Sequence, residues 1–129
     1  MTLGRLATHV AEIPHWISRI ITVDDWDFVA RGFSSHAAAT KEELMKTFED
    51  KLQQAIADLE TMSDEDFNKA WIVRRGDQMR REMPKKNAIR GWGFSHLIHH
   101  RGQLSVYLRL LEVPVPVIYG RSADENPFA

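Results

Sequence analysis

Three histidines fall within five residues of the segment FSHLIHHRGQLSVYL, residues 94–108. Imidazoles are common ligands of divalent metal ions, and His96 and His100 are four residues apart. On a helix, residues at that spacing lie one turn apart, so both imidazoles can reach one ion at about 2.0–2.1 Å. His99 points in a different direction and is expected to be a bystander. The pair alone leaves open a metal site, a surface patch and the hydrogen-bonded histidines of a core helix.

A third imidazole is available near the N-terminus. His9 falls on the inner face of the first predicted helix, together with apolar residues at helical spacing, Leu6, Val10 and Ile13. If that helix crosses the one carrying His96 and His100, three neutral imidazoles meet. Such a set leaves coordination positions for water or substrate, which is the pattern of catalytic zinc sites. Taken alone, His9 also fits a hydrogen-bonded core histidine, whereas His15 is expected to face elsewhere.

Two amphipathic helices are predicted in the first half of the chain. The first covers about residues 3–21 and is expected to kink before Pro14, which lacks a backbone N–H. The second covers about residues 40–62 and begins with a capping box formed by Thr40 and Glu43. Its apolar residues share one face, so it is expected to pack against a core.

A third helix is predicted over about residues 87–112, after an extended excursion over residues 71–83 with a hairpin signal at Gly76-Asp77. Three long helices in one domain predict an all-α helical bundle. One helix of the common antiparallel four is missing from this pattern. Either a short segment or a second copy of the chain is expected to complete the bundle.

Length and composition limit the class of protein. The 129 residues suffice for a single domain, residues 1–129, and the net charge of −1 argues against nucleic-acid binding by the whole molecule. There is no apolar run of membrane-spanning length and no apolar N-terminal signal segment, so a cytoplasmic location is expected. Because the chain has no cysteine, a metal must be held by His, Asp or Glu, and any thiol chemistry needs an external thiol.

Seven basic residues fall in the 17 positions 74–90, with only two acidic residues among them. A solvated face is the simpler interpretation of this segment. A contact with an anionic partner is the alternative, and it would favour a binding module over an enzyme.

Three segments resemble the DinB family of metal-binding helical proteins. They are LATHVAE over residues 6–12, HLIHHRGQ over residues 96–103 and VPVPVIYG over residues 113–120. The resemblance implies an up-down four-helix bundle with a long crossover and a divalent metal ion held by three histidines. Zinc or nickel is implied first, with manganese or iron as alternatives. Carried onto this chain, the implied ligands are His9, His96 and His100.

The resemblance also implies a range of functions. Some members of the wider superfamily use the metal to activate a low-molecular-weight thiol, so a metal-dependent transferase or hydrolase acting on a small molecule is expected here. Glu12, one turn after His9, is expected to orient an imidazole or act as a base. The alternatives are a non-catalytic stress-response module that uses residues 74–90 and a bundle whose metal is only structural.

One departure from the family pattern concerns the N-terminus. Members usually carry a helix before the one that bears the first histidine, whereas eight residues precede His9 here. The sequence therefore predicts either a shortened start or a bundle completed by a second chain. We expect a homodimer on this basis.

Overall fold

The computed structural model describes residues 1–31 and 36–126 and combines helices with a small sheet. The helices are α1 Leu3–Glu12, α2 Pro14–Thr22, α3 Phe28–Arg31, α4 Lys41–Glu60, α5 Lys85–Ala88 and α6 His96–Leu110. A π-helical segment, Ile89–Ser95, joins α5 to α6, and a 3-10 turn covers Asp66–Asn68. The strands are β1 Asp25–Asp27, β2 Ala70–Arg75 and β3 Gln78–Pro84.

The prediction of an all-α four-helix bundle is wrong, because the fold is mixed. About 59% of the described residues are helical, and the strands form a three-stranded sheet in the order β1-β2-β3. β2 and β3 are antiparallel and are joined by a two-residue turn, in which Gly76 has a φ of +57°. Glycine adopts that backbone conformation without steric cost. β1 pairs with β2 in parallel, with Trp26 beside Val73.

The predicted first helix is divided into α1 and α2 at Ile13. Pro14 is the first residue of α2, where its missing N–H costs no helical hydrogen bond. Thr2 caps α1 by accepting a hydrogen bond from the Arg5 amide. α4 begins as the capping box predicts, since Thr40 Oγ1 accepts from the Glu43 amide at 3.1 Å.

The core lies between α2, the sheet and the π-helical segment. Its centre is aromatic: Trp26 and Trp71 are buried, Trp16 lies 5.4 Å from Trp26, and Trp92 lies 5.8 Å from Trp71, between ring centroids. Such edge-on pairs add to the burial of apolar area. The alternation of β2 explains its part in this core, because Trp71 and Val73 are buried while Ile72 between them is less so.

Gly93 fixes how closely the π-helical segment approaches α2. A Cβ at this position would lie 2.7 Å from Cγ1 of Ile17, closer than side-chain carbons approach one another. Glycine therefore permits this packing.

α6 differs from the other long elements in its burial. It packs on α1, yet none of its fifteen residues is buried. Exposed apolar side chains recur every four residues around Gly102: Phe94 at the end of the π-helical segment, and Ile98, Val106 and Leu110 on α6. The described helices include none that is long and apolar enough to cross a membrane.

Candidate metal centre

Three imidazoles from two helices converge where α1 crosses α6. His9 comes from the last turn of α1, and His96 and His100 come from the first turns of α6. The Nε2 atoms of His9 and His96 are 3.2 Å apart, and the three ring centroids are separated by 4.6–5.0 Å. One nitrogen from each ring lies within 4.8 Å of the other two. The structure thus brings together the three histidines that the sequence singled out.

The helix before His96 determines the direction of the pair. The π-helical segment Ile89–Ser95 inserts a wider turn between α5 and α6. Wide turns of this kind are often found at functional sites, since they rotate the following side chains relative to the preceding helix. α6 therefore meets the end of α1 with His96 and His100 directed at His9. No pattern in the sequence predicted this turn.

Hydrogen bonds hold two of the three rings from the side away from the cluster. His96 Nδ1 lies 3.3 Å from the carbonyl oxygen of Trp92, and His100 Nδ1 lies 2.7 Å from Oε1 of Gln103. Both partners are acceptors, so each Nδ1 carries the proton and donates it. Each Nε2 then carries a lone pair, which is the form that binds a metal.

Burial and the neighbouring imidazoles lower the pKa of two of the three histidines, His9 and His96. Burial is the main cause that lowers the pKa of His9 to about 4, followed by the proximity of His100, His96 and Arg5. Burial, and then His100, also lower the pKa of His96. These imidazoles are therefore neutral at pH 7, as coordination requires.

The donor atoms of His9 and His96 are spaced as the ligands of one divalent cation are. With nitrogen–metal distances of about 2.05 Å, a nitrogen–nitrogen distance of 3.2 Å corresponds to an angle of roughly 100° at the ion, close to tetrahedral. Within the described ranges no carboxylate joins the three histidines. Three neutral ligands leave at least one coordination position for another molecule, and the full charge of the ion is retained.

The other histidines have different surroundings. His99 is exposed and lies outside the cluster, although its ring contacts His100 at 4.8 Å. His36 pairs with Glu43 at 2.8 Å. His15 faces a cavity between α2 and α4, where burial, Arg19 and Lys51 lower its pKa to about 4.

Glu12 has no hydrogen bond to the three clustered imidazoles in the described part of the chain, so its predicted role in orienting one of them stays a prediction. Gln103 forms a hydrogen bond of this kind instead, with His100. Its position three residues after His100 placed both on one helix face, and that spacing was the available signal.

His96 also forms part of the wall of an open cavity of about 730 Å³. The rest of its lining comes from β3, α5, the π-helical segment and α6: Arg81, Met83, Asn87, Gly91, Trp92, Ser95 and His99. The three-histidine cluster is therefore reachable by a small molecule.

Comparison with family models gives one match of nearly full length. The model of the DinB family matches residues 1–126. The chain belongs to the DinB family. The resemblance predicted from the histidine motif and the VPVP tail is confirmed. No curated protein and no solved structure shows a significant match.

In this DinB chain, replacing Gln103 with leucine is expected to weaken zinc binding about 10- to 100-fold. The substitution keeps the volume but removes the acceptor that holds the proton on His100 Nδ1. A competition titration with a chromophoric chelator measures the change. Gln53→Leu, on the exposed face of α4, is the matched control and should leave the affinity unchanged. Equal affinities for Gln103→Leu and wild type would show that the hydrogen bond does not support the site.

Proposed function

We propose that this DinB chain binds one divalent metal ion through His9, His96 and His100 and is a metal-dependent enzyme acting on a small molecule. The observation that carries the proposal is the convergence of three imidazoles, with the Nδ1 protons of two of them held by acceptors behind the rings. An ion held by three neutral ligands is a Lewis acid that favours the anionic form of a nucleophile.

The reaction class follows from what the chain contains and lacks. It has no cysteine, and the cluster has no carboxylate within the described residues, so the nucleophile is an external thiol or water. We propose transfer to a low-molecular-weight thiol, with hydrolysis as the alternative. Three nitrogen donors suit zinc or nickel, with manganese or iron as further candidates. His96 borders both the cluster and the adjoining cavity, so it is placed to position the substrate.

Elemental analysis of the protein as purified tests this proposal. We expect about one zinc or nickel ion per chain, and a thiol-transfer screen on the metal-loaded protein then separates transfer from hydrolysis. Wild-type protein that stays metal-free when supplied with zinc, nickel and manganese would contradict metal binding. Metal-loaded protein inactive with every thiol and ester offered would contradict the enzymatic part alone.

The distribution of the basic residues does not support the alternative of a binding module. Arg74 forms an ion pair with Asp25, Lys85 is buried against Asp24, and Lys86 donates to Asn68. These local contacts occupy three of the seven basic residues of the segment 74–90, so fewer charges remain for a nucleic acid. This distribution supports the enzyme over the binding module.

We further propose that the chain forms a homodimer through the α6 ridge, defined as Phe94, Ile98, Gly102, Val106 and Leu110. Residues four apart form a ridge that fits the groove of a facing helix. The ridge carries no charge, and the space around Gly102 is open, so two copies related by a twofold axis can cross closely at the glycine. Exposed apolar surface of this continuity is typical of an interface.

Val106→Glu is expected to convert the dimer into a monomer, because it places a charge in the apolar contact. Sedimentation velocity at micromolar concentration measures the change. Met45→Glu is the matched control, since Met45 is similarly exposed on α4, away from the ridge. A wild-type protein that sediments as a monomer at this concentration would disprove the dimer.

A further inference from the structure

Two cavities meet on either side of Arg81 and Trp92. The first is the cavity of about 730 Å³ that borders His96. The second has about 740 Å³ and is lined by Phe28, Val29, Val73, Arg75, Arg80, Arg81 and Trp92. Because Arg81 and Trp92 line both, we name the two cavities together the arginine groove. One end of this groove lies at the three-histidine cluster, and the other lies at the turn end of the β-hairpin.

The arginine groove carries positive charge without a compensating acid. Arg75, Arg80 and Arg81 line it, and within the part of the chain that the structure describes no aspartate or glutamate does. None of the three arginines forms an ion pair with another described residue, whereas the neighbouring Arg74 is paired with Asp25. Guanidinium groups that line a cavity and lack carboxylate partners are suited to bind an anion from outside.

A β-bulge explains why two successive arginines of one strand reach the same cavity. Val73 pairs with Arg81 and Arg74 pairs with Met79, so Arg80 is an extra residue in β3. In a regular strand, side chains of successive residues point to opposite faces. The bulge breaks this alternation and re-aims a side chain, an arrangement found often beside active sites. Arg80 therefore joins Arg81 in lining the groove.

Apart from the polar side chains of the first cavity, the remaining walls of the groove are apolar. The rings of Phe28 and Trp92 lie 5.7 Å apart with 30° between their planes, and Val73 and Met83 extend this surface. Cavities of 300–1,000 Å³ with apolar walls and a few convergent polar groups are typical of small-molecule sites. The same volumes are too small for a nucleic-acid duplex or a folded partner.

We infer that the arginine groove binds the substrate, an organic anion with an apolar body. The body packs on Phe28 and Trp92, and a carboxylate or phosphate group accepts hydrogen bonds from Arg80 and Arg81, with Arg75 adding positive charge. The end away from the acid group then faces His96. The role as substrate rests on the proposed metal-dependent function, whereas the binding of the anion rests on the groove alone.

Calorimetric titrations with three naphthyl probes test the inference. They are 1-naphthyl phosphate, 1-naphthylacetate and the neutral 1-naphthylacetamide, each titrated into zinc-loaded and metal-free protein. We expect both anions to bind at least about 10-fold more tightly than the amide, with and without zinc. A preference for the phosphate over the carboxylate would identify a doubly charged substrate group, and the reverse preference a carboxylate.

Arginine variants locate the binding. Arg80→Ala and Arg81→Ala are each expected to weaken 1-naphthyl phosphate binding about 10-fold or more. Arg90→Ala is the matched control, since Arg90 is exposed and lines neither cavity, and it should change the affinity less than about 2-fold. Equal binding of the amide and the acids, or an Arg80→Ala/Arg81→Ala double variant with wild-type affinity, would overturn the inference.

Paramagnetic relaxation connects the groove to the metal centre. In protein loaded with cobalt(II), the ring protons of bound 1-naphthyl phosphate are expected to relax faster than in the zinc-loaded protein. Unchanged relaxation with the anion bound would show that the groove does not lead to the centre and would overturn the role as substrate site. Failure to take up either metal would instead contradict the proposed function, and the metal-free titrations would still decide whether the groove binds anions.

Discussion

Replacing His96 or His100 with alanine is expected to leave the purified protein almost metal-free, with zinc affinity reduced by more than about 100-fold. Loss of a residue that only supports a ligand typically costs 10- to 100-fold, so loss of the ligand itself costs more. His9→Ala should have a similar effect, because its Nε2 lies 3.2 Å from that of His96. Elemental analysis and a chelator competition titration measure both quantities.

His99→Ala is the matched control for these variants. His99 has the same side chain, lies on the same helix and is exposed outside the cluster, so its replacement should leave about one ion per chain. Circular dichroism of the metal-free variants should match that of metal-free wild type, because none of the replaced rings is fully buried. If His99→Ala lost as much metal as His96→Ala, the three-histidine assignment would be wrong.

Trp71→Ala is expected to lower the free energy of unfolding by about 3–5 kcal/mol. Trp71 is 0% exposed in the middle of the sheet and packs against Trp92, so its removal leaves a large cavity in the core. Since small domains have stabilities of about 5–15 kcal/mol, the variant loses a large fraction of the total. Urea denaturation followed by circular dichroism measures this change.

Two further variants serve as comparisons for Trp71→Ala. Trp71→Phe should cost clearly less than Trp71→Ala, because it keeps most of the ring and removes a buried Nε1–H that has no hydrogen-bond partner among the described residues. Tyr119→Ala, at a side chain that is 82% exposed, should change stability by less than about 0.5 kcal/mol. A loss below about 1 kcal/mol for Trp71→Ala would mean that the aromatic cluster is not the main core.

The residues of the candidate centre were accessible to sequence reasoning because their signals are local. A spacing of four on a helix defines the pair His96 and His100, and apolar periodicity orients His9. The start of α4 was equally local, since Thr40 and Glu43 carry the capping signal within four residues. The turn of the hairpin was signalled by Gly76, whose conformation few other residues adopt.

The features that sequence reasoning missed depend on contacts between distant segments. β1 is only three residues long and pairs with β2 nearly fifty positions later, so no alternation of its own distinguishes it from a loop. The π-helical segment has no characteristic composition, and its geometry depends on the close approach of Gly93 to Ile17. The bulge at Arg80 likewise follows from pairing between strands.

The weak burial of α6 affects which part of the molecule unfolds first. Within one copy of the chain, a helix without a buried residue is held mainly by its contact with α1, so in the metal-free monomer its amides should exchange with solvent through local unfolding. Two of the three proposed ligands lie on α6 and the third on α1, 87 positions earlier than His96. A bound ion would therefore link α1 to α6. The free energy of every opening that breaks the three-histidine cluster, including local unfolding of α6, would then rise by the binding free energy of the ion, and amide exchange through those openings would slow accordingly.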